Sequence, residues 1–103
     1  MVEANEQEKE IIYKVEKIVC KFFNVTEQDV LNHNHKRDSS MARGFIWYIL
    51  HYDYEMSATK IANTYYRVPR SVKSLISKTK YSIKKQSMYR KIYHAFKDAL
   101  HLR

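Results

Sequence analysis

The sequence predicts an all-α fold, a compact domain of six helices, and two observations lead to this prediction. The 103 residues include one glycine and one proline, too few for the tight turns that a sandwich or barrel needs at short intervals. Apolar residues also recur three and four positions apart along most of the chain, the spacing of amphipathic helices. A chain of this length has room for one modest core, so we expect a single domain over residues 1–103.

Composition also bears on the compartment. No apolar run reaches the roughly 18 residues that a membrane span requires, and the acidic start MVEANEQEKE lacks the pattern of a signal peptide. Cys20 is the single cysteine and cannot form an internal disulfide, which favours a reducing cytosol. We therefore expect a cytoplasmic domain that does not span a membrane.

In the first half of the chain, the periodicity predicts three helices. Apolar residues at 11, 12, 15, 18, 19 and 22 predict a first helix from about Gln7 to Phe23. Thr26 is a candidate N-cap for a short helix over 27–31. The polar stretch 32–39 is typical of a loop, and Ser39 or Ser40 can cap a central helix over 41–54, which is apolar on more than one side.

The second half predicts three more helices. Ser57 can cap a short helix over 58–65, and a break at 66–68 precedes Pro69, which suits the first position of a fifth helix running to about Tyr81. Ser87 is a candidate cap for the last helix, whose apolar face holds Met88, Ile92, Phe96 and Leu100. The six predicted helices leave no segment for a sheet.

Charge is divided unevenly between the two halves. Residues 1–55 hold 7 Lys and Arg against 10 Asp and Glu, whereas residues 56–103 hold 12 against one. A basic half of this kind indicates a polyanionic partner. Nucleic acid and an anionic membrane both fit, but the basic residues alternate with Ser, Thr and Tyr instead of flanking a wide apolar stripe, which disfavours a membrane surface.

The fourth and fifth predicted helices have the spacing of a helix-turn-helix, about residues 57–81. Ile61, Ala62 and Tyr65 would face Val72 and Leu75, and Tyr66 stands near the position of the usual turn glycine. The outward face of the fifth helix would carry Arg70, Ser71, Lys73, Ser74, Ser77 and Lys78. Arginine can donate two bonds to guanine, while serine and lysine reach bases or phosphates. The plainer interpretation is a helix pair whose basic face is merely solvated.

Three segments resemble the C-terminal DNA-binding domain of the bacterial replication initiator DnaA, a Trp-repressor-like helical fold. They are IVCKFFNVTEQDVL, KRDSSMARGFIWYIL and KIANTYYRVPRSVKSLI, which occur in the family's order and cover roughly two-thirds of the chain. The last is similar to the family signature Ile-Gly-x-x-Phe-Gly-Gly-Arg-Asp-His-Thr-Thr-Val. The resemblance implies a non-catalytic protein that binds double-stranded DNA, is associated with the nucleoid, and acts in replication, its regulation or mobile-element control.

The resemblance also implies roles for individual residues. Arg37, with Lys36 beside it, matches the basic-loop arginine that enters the minor groove, and Arg43 matches a phosphate-contacting arginine. Arg67 matches the signature arginine that reads guanine in the major groove, while Ser71 stands at the second Thr. Independently of the resemblance, Lys78, Lys84 and Lys85 belong to a basic run that continues to Lys91. This run is either a solvated face or one that holds the DNA backbone.

The sequence departs from the family at the turn. One residue of the Gly-Gly pair is missing, Tyr66 replaces the other, and Val68-Pro69-Arg70 replaces Asp-His-Thr. Because these changes replace the side chains that reach base edges, we do not expect the initiator's target sequence. The chain also has no room for an initiator's ATPase module, and it stays open whether the domain acts alone or with a separate replication or regulatory protein.

Two other functions remain open at this point. The acidic first helix could dock a protein partner through Ile11, Val15, Ile18 and Phe22, if the core leaves those side chains uncovered. RNA binding would be favoured if single strands outcompeted duplex, and Tyr66, Tyr81 and Tyr89 lie near basic residues where they could contact phosphate or stack on bases.

No catalytic or cofactor motif is recognisable. The sequence shows no nucleophile arrangement, glycine-rich phosphate loop or carboxylate pair, so we expect no enzymatic activity and no cofactor. His33 and His35 could be two metal ligands, but no second His or Cys pair sits at matching spacing, and an exposed loop is the simpler interpretation. Neither the target sequence nor the oligomeric state follows from these patterns.

Overall fold

The computed structural model describes residues 4–32 and 36–102, and over these ranges the protein contains six helices and no strand. The helices are α1 (Glu6–Phe23), α2 (Glu27–Leu31), α3 (Arg37–Tyr52), α4 (Ala58–Tyr65), α5 (Pro69–Lys85) and α6 (Ser87–Ala99). The predicted all-α, six-helix architecture is therefore confirmed. The candidate ligands His33 and His35 lie outside the described residues.

The N-terminal helices begin at side-chain caps. Asn5 accepts a hydrogen bond from the Glu8 N–H and the Glu8 carboxylate accepts one from the Asn5 N–H, so the two residues form a capping box. Thr26 and Asp29 form a second capping box at the start of α2, as predicted for Thr26. The turn between α1 and α2 passes through Asn24, which adopts a left-handed conformation.

Helix α3 lies at the centre of the fold and contacts α1, α2, α4 and α5. It begins at Arg37, so the prediction that Ser39 or Ser40 caps it was wrong: Ser39 is buried inside the first turns, and the N-cap residue Lys36 makes no side-chain cap bond. The helix also ends at Tyr52 instead of Tyr54, because the amides of Tyr54 and Met56 bond back to carbonyls of Ile49 and Leu50.

Helices α4 and α5 meet across the three-residue turn 66–68. Ser57 caps α4 and Pro69 is the first residue of α5, both as predicted. Helix α5 runs to Lys85, four residues beyond the predicted end, because no breaker interrupts it before the extended Gln86. The predicted cap Ser87 was also wrong, since Gln86 occupies the N-cap position and Ser87 is the first residue of α6.

One hydrophobic core joins all six helices. Trp47, Phe45 and Ile46 of α3 are at its centre, and Val72, Phe96 and Val15 reach it from α5, α6 and α1. The side chain of Phe96 makes edge-on contacts with Phe22 and Phe45. Within the described ranges, no helix combines the length and apolarity needed to cross a membrane.

The glycine of the chain lies where α3 crosses α5. A Cβ atom built on Gly44 would come too close to Oγ1 of Thr79, a buried residue of α5, whereas the nearest carbon of Leu75 would be 3.7 Å away. Gly44 therefore allows α5 to pack closely on α3, which fixes the position of the basic face of α5.

Candidate nucleic-acid interface

Helix α5 presents a polar, basic face to solvent and an apolar face to the core. Val72, Ile76 and Thr79 are buried. Ten residues face outward and are exposed: Arg70, Ser71, Lys73, Ser74, Ser77, Lys78, Lys80, Tyr81, Lys84 and Lys85. The sequence predicted a polar outer face and an apolar inner face for the first two turns of this helix. It did not predict that both faces continue for another turn, to Lys85.

Helical periodicity orders these exposed residues into a midline and two edges. At 100° per residue, Arg70, Ser74, Ser77 and Tyr81 lie along the middle of the outward face. Lys73 and Lys80 lie along one edge, and Ser71 and Lys78 lie along the other. The midline spans about 16 Å. The centre of the face therefore holds Arg70, two serines and Tyr81, and lysines lie at both margins.

Shallow grooves adjoin both edges. On one side, a groove of about 460 Å³ runs between Lys73 and Ser77 of α5, Tyr52 of α3, and Ser57 and Thr59 at the start of α4. On the other, Lys78 and Ser82 face Ser40 and Tyr89 across a groove of about 240 Å³. The hydroxyls and lysines of both grooves are the groups that proteins use on phosphate oxygens.

No carboxylate of the described residues forms an ion pair with a cation of α5. Among the described residues, the ion pairs join Lys9 to Glu6 and Lys60 to Glu8, and neither pair involves α5. Lys80 lies 5.3 Å from the centre of the Tyr52 ring, a cation–π contact that leaves its charge in place. The six Lys and Arg side chains of α5 therefore form a positive surface, whose charge favours an anionic ligand.

Arg43 is a buried structural residue in this fold. Its Nε donates to the carbonyl of Val30 at 2.8 Å, and its Nη2 donates to those of Asp29 and Asn32 at 3.2 and 2.7 Å. These carbonyls belong to the last turn of α2, where a helix has no internal donors left. Burial, and secondarily the charge of Arg67, lowers the pKa of the Arg43 guanidinium. A phosphate contact, the role implied by the resemblance, would require breaking these bonds.

Arg67 binds the same end of α2 from the turn between α4 and α5. Its Nη2 donates to the carbonyls of Leu31 and Asn32 at 2.9 and 2.8 Å, and its guanidinium carbon lies 5.7 Å from the centre of the Trp47 ring. Nε is buried without a hydrogen-bond partner. Reading guanine takes two aligned donors. Because Nε is buried and Nη2 already bonds to two carbonyls, Nη1 is the one guanidinium nitrogen left to donate. Arg67 therefore fixes the turn to α2 and is poorly placed to read a base.

A third arginine supports the far end of α5. Arg90 of α6 donates from Nη1 to the carbonyls of Lys84, at 2.8 Å, and Ile83, at 3.4 Å. These bonds satisfy terminal carbonyls of α5 and complement the negative end of its dipole. Lys84 and Lys85 are exposed at this supported end. The two lysines that the sequence predicted to contact the DNA backbone are therefore held at a fixed position.

Contacts through the core hold α4 in place. The hydroxyl of Tyr65 donates to the carboxylate of Glu16 on α1, and the Tyr65 ring packs edge-on against Trp47 at 5.6 Å. Burial raises the pKa of the Glu16 carboxyl, whereas the Tyr65 bond opposes that rise. On the surface, Lys60 of α4 bonds to Glu8 of α1 at 2.6 Å. Sequence reasoning missed the contacts of Glu16 and Trp47 with Tyr65, because Tyr65 is distant from both in the chain.

Lys36 and Arg37 lie at the N-terminal end of α3. Both are exposed, with Lys36 at the N-cap and Arg37 in the first turn of the helix instead of in a loop. They follow the end of α2, where the Asn32 carbonyl accepts hydrogen bonds from Arg43 and Arg67, but residues 33–35 between Asn32 and Lys36 are not described. Their predicted minor-groove role stays a prediction.

The docking surface expected for a protein adaptor is mostly covered. Val15 is buried, and Ile11 and Ile18 are partly buried against the core, whereas Phe22 is 52% exposed. One half-exposed phenylalanine is a small apolar surface for a partner helix. The structure thus leaves the first helix little of the face that this alternative required.

Comparison with known proteins gives no further guide: no family model, curated protein or solved structure matches this chain. Over the described residues, no three His, Cys, Asp or Glu side chains are grouped so that they could hold a metal ion.

Proposed function

We propose that this protein binds double-stranded DNA, with α4 and α5 acting as a helix-turn-helix and α5 entering the major groove. The observation that carries the proposal is the outward face of α5, which has six cations, four hydroxyl-bearing side chains of Ser and Tyr, and no carboxylate. The major groove is about 12 Å wide and admits one α-helix. The resemblance to the DnaA C-terminal domain supports the same function and the same helix.

The layout of the face supports a division of labour along α5. Arg70, Ser74 and Ser77 on the midline would meet base edges, because the midline points to the groove floor when both margins approach phosphates. Lys73 on one edge and Lys78 on the other, each beside a groove lined with hydroxyls, would hold the two DNA strands. Lys84 and Lys85 extend the backbone contact.

Base reading is assigned to Arg70 in place of Arg67. Arg70 is exposed in the first turn of α5, the part of a recognition helix that reaches base edges. Arg67 and Arg43 are positioning residues in this proposal: they tie the turn and α3 to the end of α2.

The test is a fluorescence-anisotropy titration of random duplexes and of duplexes enriched by selection, across a salt series from 50 to 200 mM. We expect tighter binding to the enriched duplexes and an affinity that falls steeply with salt. Arg70→Ala should cost about 1–3 kcal/mol on the enriched duplex and little on random DNA. Lys78→Ala and Lys84→Ala should weaken all duplexes alike and reduce the salt slope by about 1 each.

Lys21→Ala is the matched control, because Lys21 is an exposed lysine in the last turn of α1, away from α5. Equal losses for Arg70→Ala and Lys78→Ala on every duplex would contradict the assigned roles. Absence of duplex binding at physiological salt would refute the proposal and favour a protein adaptor, and preference for single strands at equal salt would favour RNA. A role in replication, its regulation or mobile-element control is proposed from the resemblance alone.

A further inference from the structure

The turn between α4 and α5 contains a tyrosine in an unfavourable backbone conformation. Tyr66 has φ 56° and ψ 44°, in the left-handed region. For residues with a Cβ this region costs roughly 1–2 kcal/mol, and bulky side chains rarely adopt it. A glycine would end α4 there without this cost.

The Tyr66 side chain gains little from the protein itself in return. Tyr66 is 81% exposed, the most exposed large hydrophobic residue of the described ranges, and Val68 two positions later is 61% exposed. Strained residues of this kind concentrate at ligand-binding sites. The position therefore points to a contact that forms only when a ligand is bound.

The surroundings of the turn favour an anionic ligand with apolar groups. Tyr66 and Val68 directly precede α5, and Arg70 and Ser71 follow them on the exposed first turn. From Met56 to Lys97 the chain contains no Asp or Glu. A duplex offers phosphates to the cations, and its apolar groups are the thymine methyl in the major groove and the carbon edge of deoxyribose.

We propose that Tyr66 and Val68 form an apolar contact with duplex DNA, against thymine methyl or deoxyribose, at the N-terminal end of α5. This inference rests on the proposed function. It adds a contact that neutralises no phosphate and therefore releases no counterions from the DNA. In the family signature a glycine stands in place of Tyr66 and an aspartate in place of Val68, so this apolar contact is a property of the present sequence.

The test is Tyr66→Gly, which removes the ring and relieves the backbone at once. We expect the melting temperature to rise by roughly 2–8 °C, so weaker binding could not be ascribed to unfolding. Affinity for duplex should fall about tenfold, with the salt slope unchanged because no phosphate contact is lost. Tyr13→Ala, at a tyrosine of α1 that is 60% exposed, is the control and should leave affinity unchanged.

Duplexes with deoxyuridine in place of thymidine separate the two sources of apolar contact. If the methyl is the contact, the substitution weakens wild-type binding and has little effect on Tyr66→Gly; if deoxyribose is the contact, the substitution affects neither protein. The inference fails, and the proposed function stands, if wild type binds duplex and Tyr66→Gly binds it equally well or with a lower salt slope. If wild type binds no duplex, both fail.

Discussion

Gly44 provides the sharpest test of how α5 is held, through the variant Gly44→Ala. In an exposed helix this change stabilises by about 1 kcal/mol, because glycine has the larger backbone entropy to lose. Here the new Cβ would overlap Oγ1 of Thr79, and Thr79 is β-branched and buried, so its side chain has little freedom to move away.

The magnitude follows from these two opposing terms. Overpacking a well-packed core costs about 1–3 kcal/mol, and subtracting the gain in helix propensity leaves a net loss of about 0–2 kcal/mol. Removing Oγ1 with Thr79→Ala should abolish the steric term, since the next contact, with Leu75, is at an ordinary 3.7 Å. In that background, Gly44→Ala should stabilise the protein by about 0.5–1 kcal/mol.

The assay is a double-mutant cycle measured by urea denaturation, with melting temperatures in parallel. We expect a coupling free energy of about 1–3 kcal/mol, within the range for residues in contact. Thr79→Val is the matched control, because it keeps the stiff β-branched shape with a methyl group in place of Oγ1 and should leave Gly44→Ala destabilising. If Gly44→Ala has the same effect in the wild-type and Thr79→Ala backgrounds, Thr79 is not what requires a glycine at this crossing.

Two further predictions concern buried titratable groups. Burial, with smaller contributions from nearby carboxylates, raises the pKa of the Cys20 thiol to about 12, so native protein should react with iodoacetamide at pH 8 about a hundredfold more slowly than urea-unfolded protein; similar rates would show that Cys20 is accessible. Burial raises the pKa of Glu16 in the folded state, so its contribution to stability is present below the unfolded value near 4.5 and is lost as pH rises through the folded value. Glu16→Gln should therefore gain stability relative to wild type between pH 4 and pH 7 in urea denaturation, and a constant difference across that range would contradict the burial of its charge.

The helices were predictable because their signals are local. Apolar periodicity over 11–22 predicted α1, and the caps Thr26 and Ser57 and the first-turn Pro69 set the starts of three helices. The errors have an equally local cause. Ser39 has the chemistry of a cap, but the packing of α3 buries it inside the helix.

The roles of the arginines were not predictable in the same way. Arg43, Arg67 and Arg70 are equivalent cations in the sequence, yet the first two bind carbonyls of α2 that are 11 to 36 positions away. Only the three-dimensional arrangement distinguishes an arginine that completes a helix end from one that faces solvent. The basic face of α5 could be predicted because its spacing lies within one helix.

The close packing at Gly44 has a counterpart in the way the helices end. The described residues in left-handed conformations are Asn24, Glu55, Tyr66 and His101, none of them glycine. The chain therefore has its glycine inside helix α3, and residues with a Cβ atom adopt the left-handed conformation at the turns. Glycine at 55 or 101 should each add a few tenths to about 1 kcal/mol of stability, and the two sites lie in separate turns, so the gains should add. The wild-type sequence is therefore less stable than its own backbone would allow. A variant with glycine at positions 55 and 101 should tolerate destabilising substitutions on the exposed face of α5 that the wild-type protein would not.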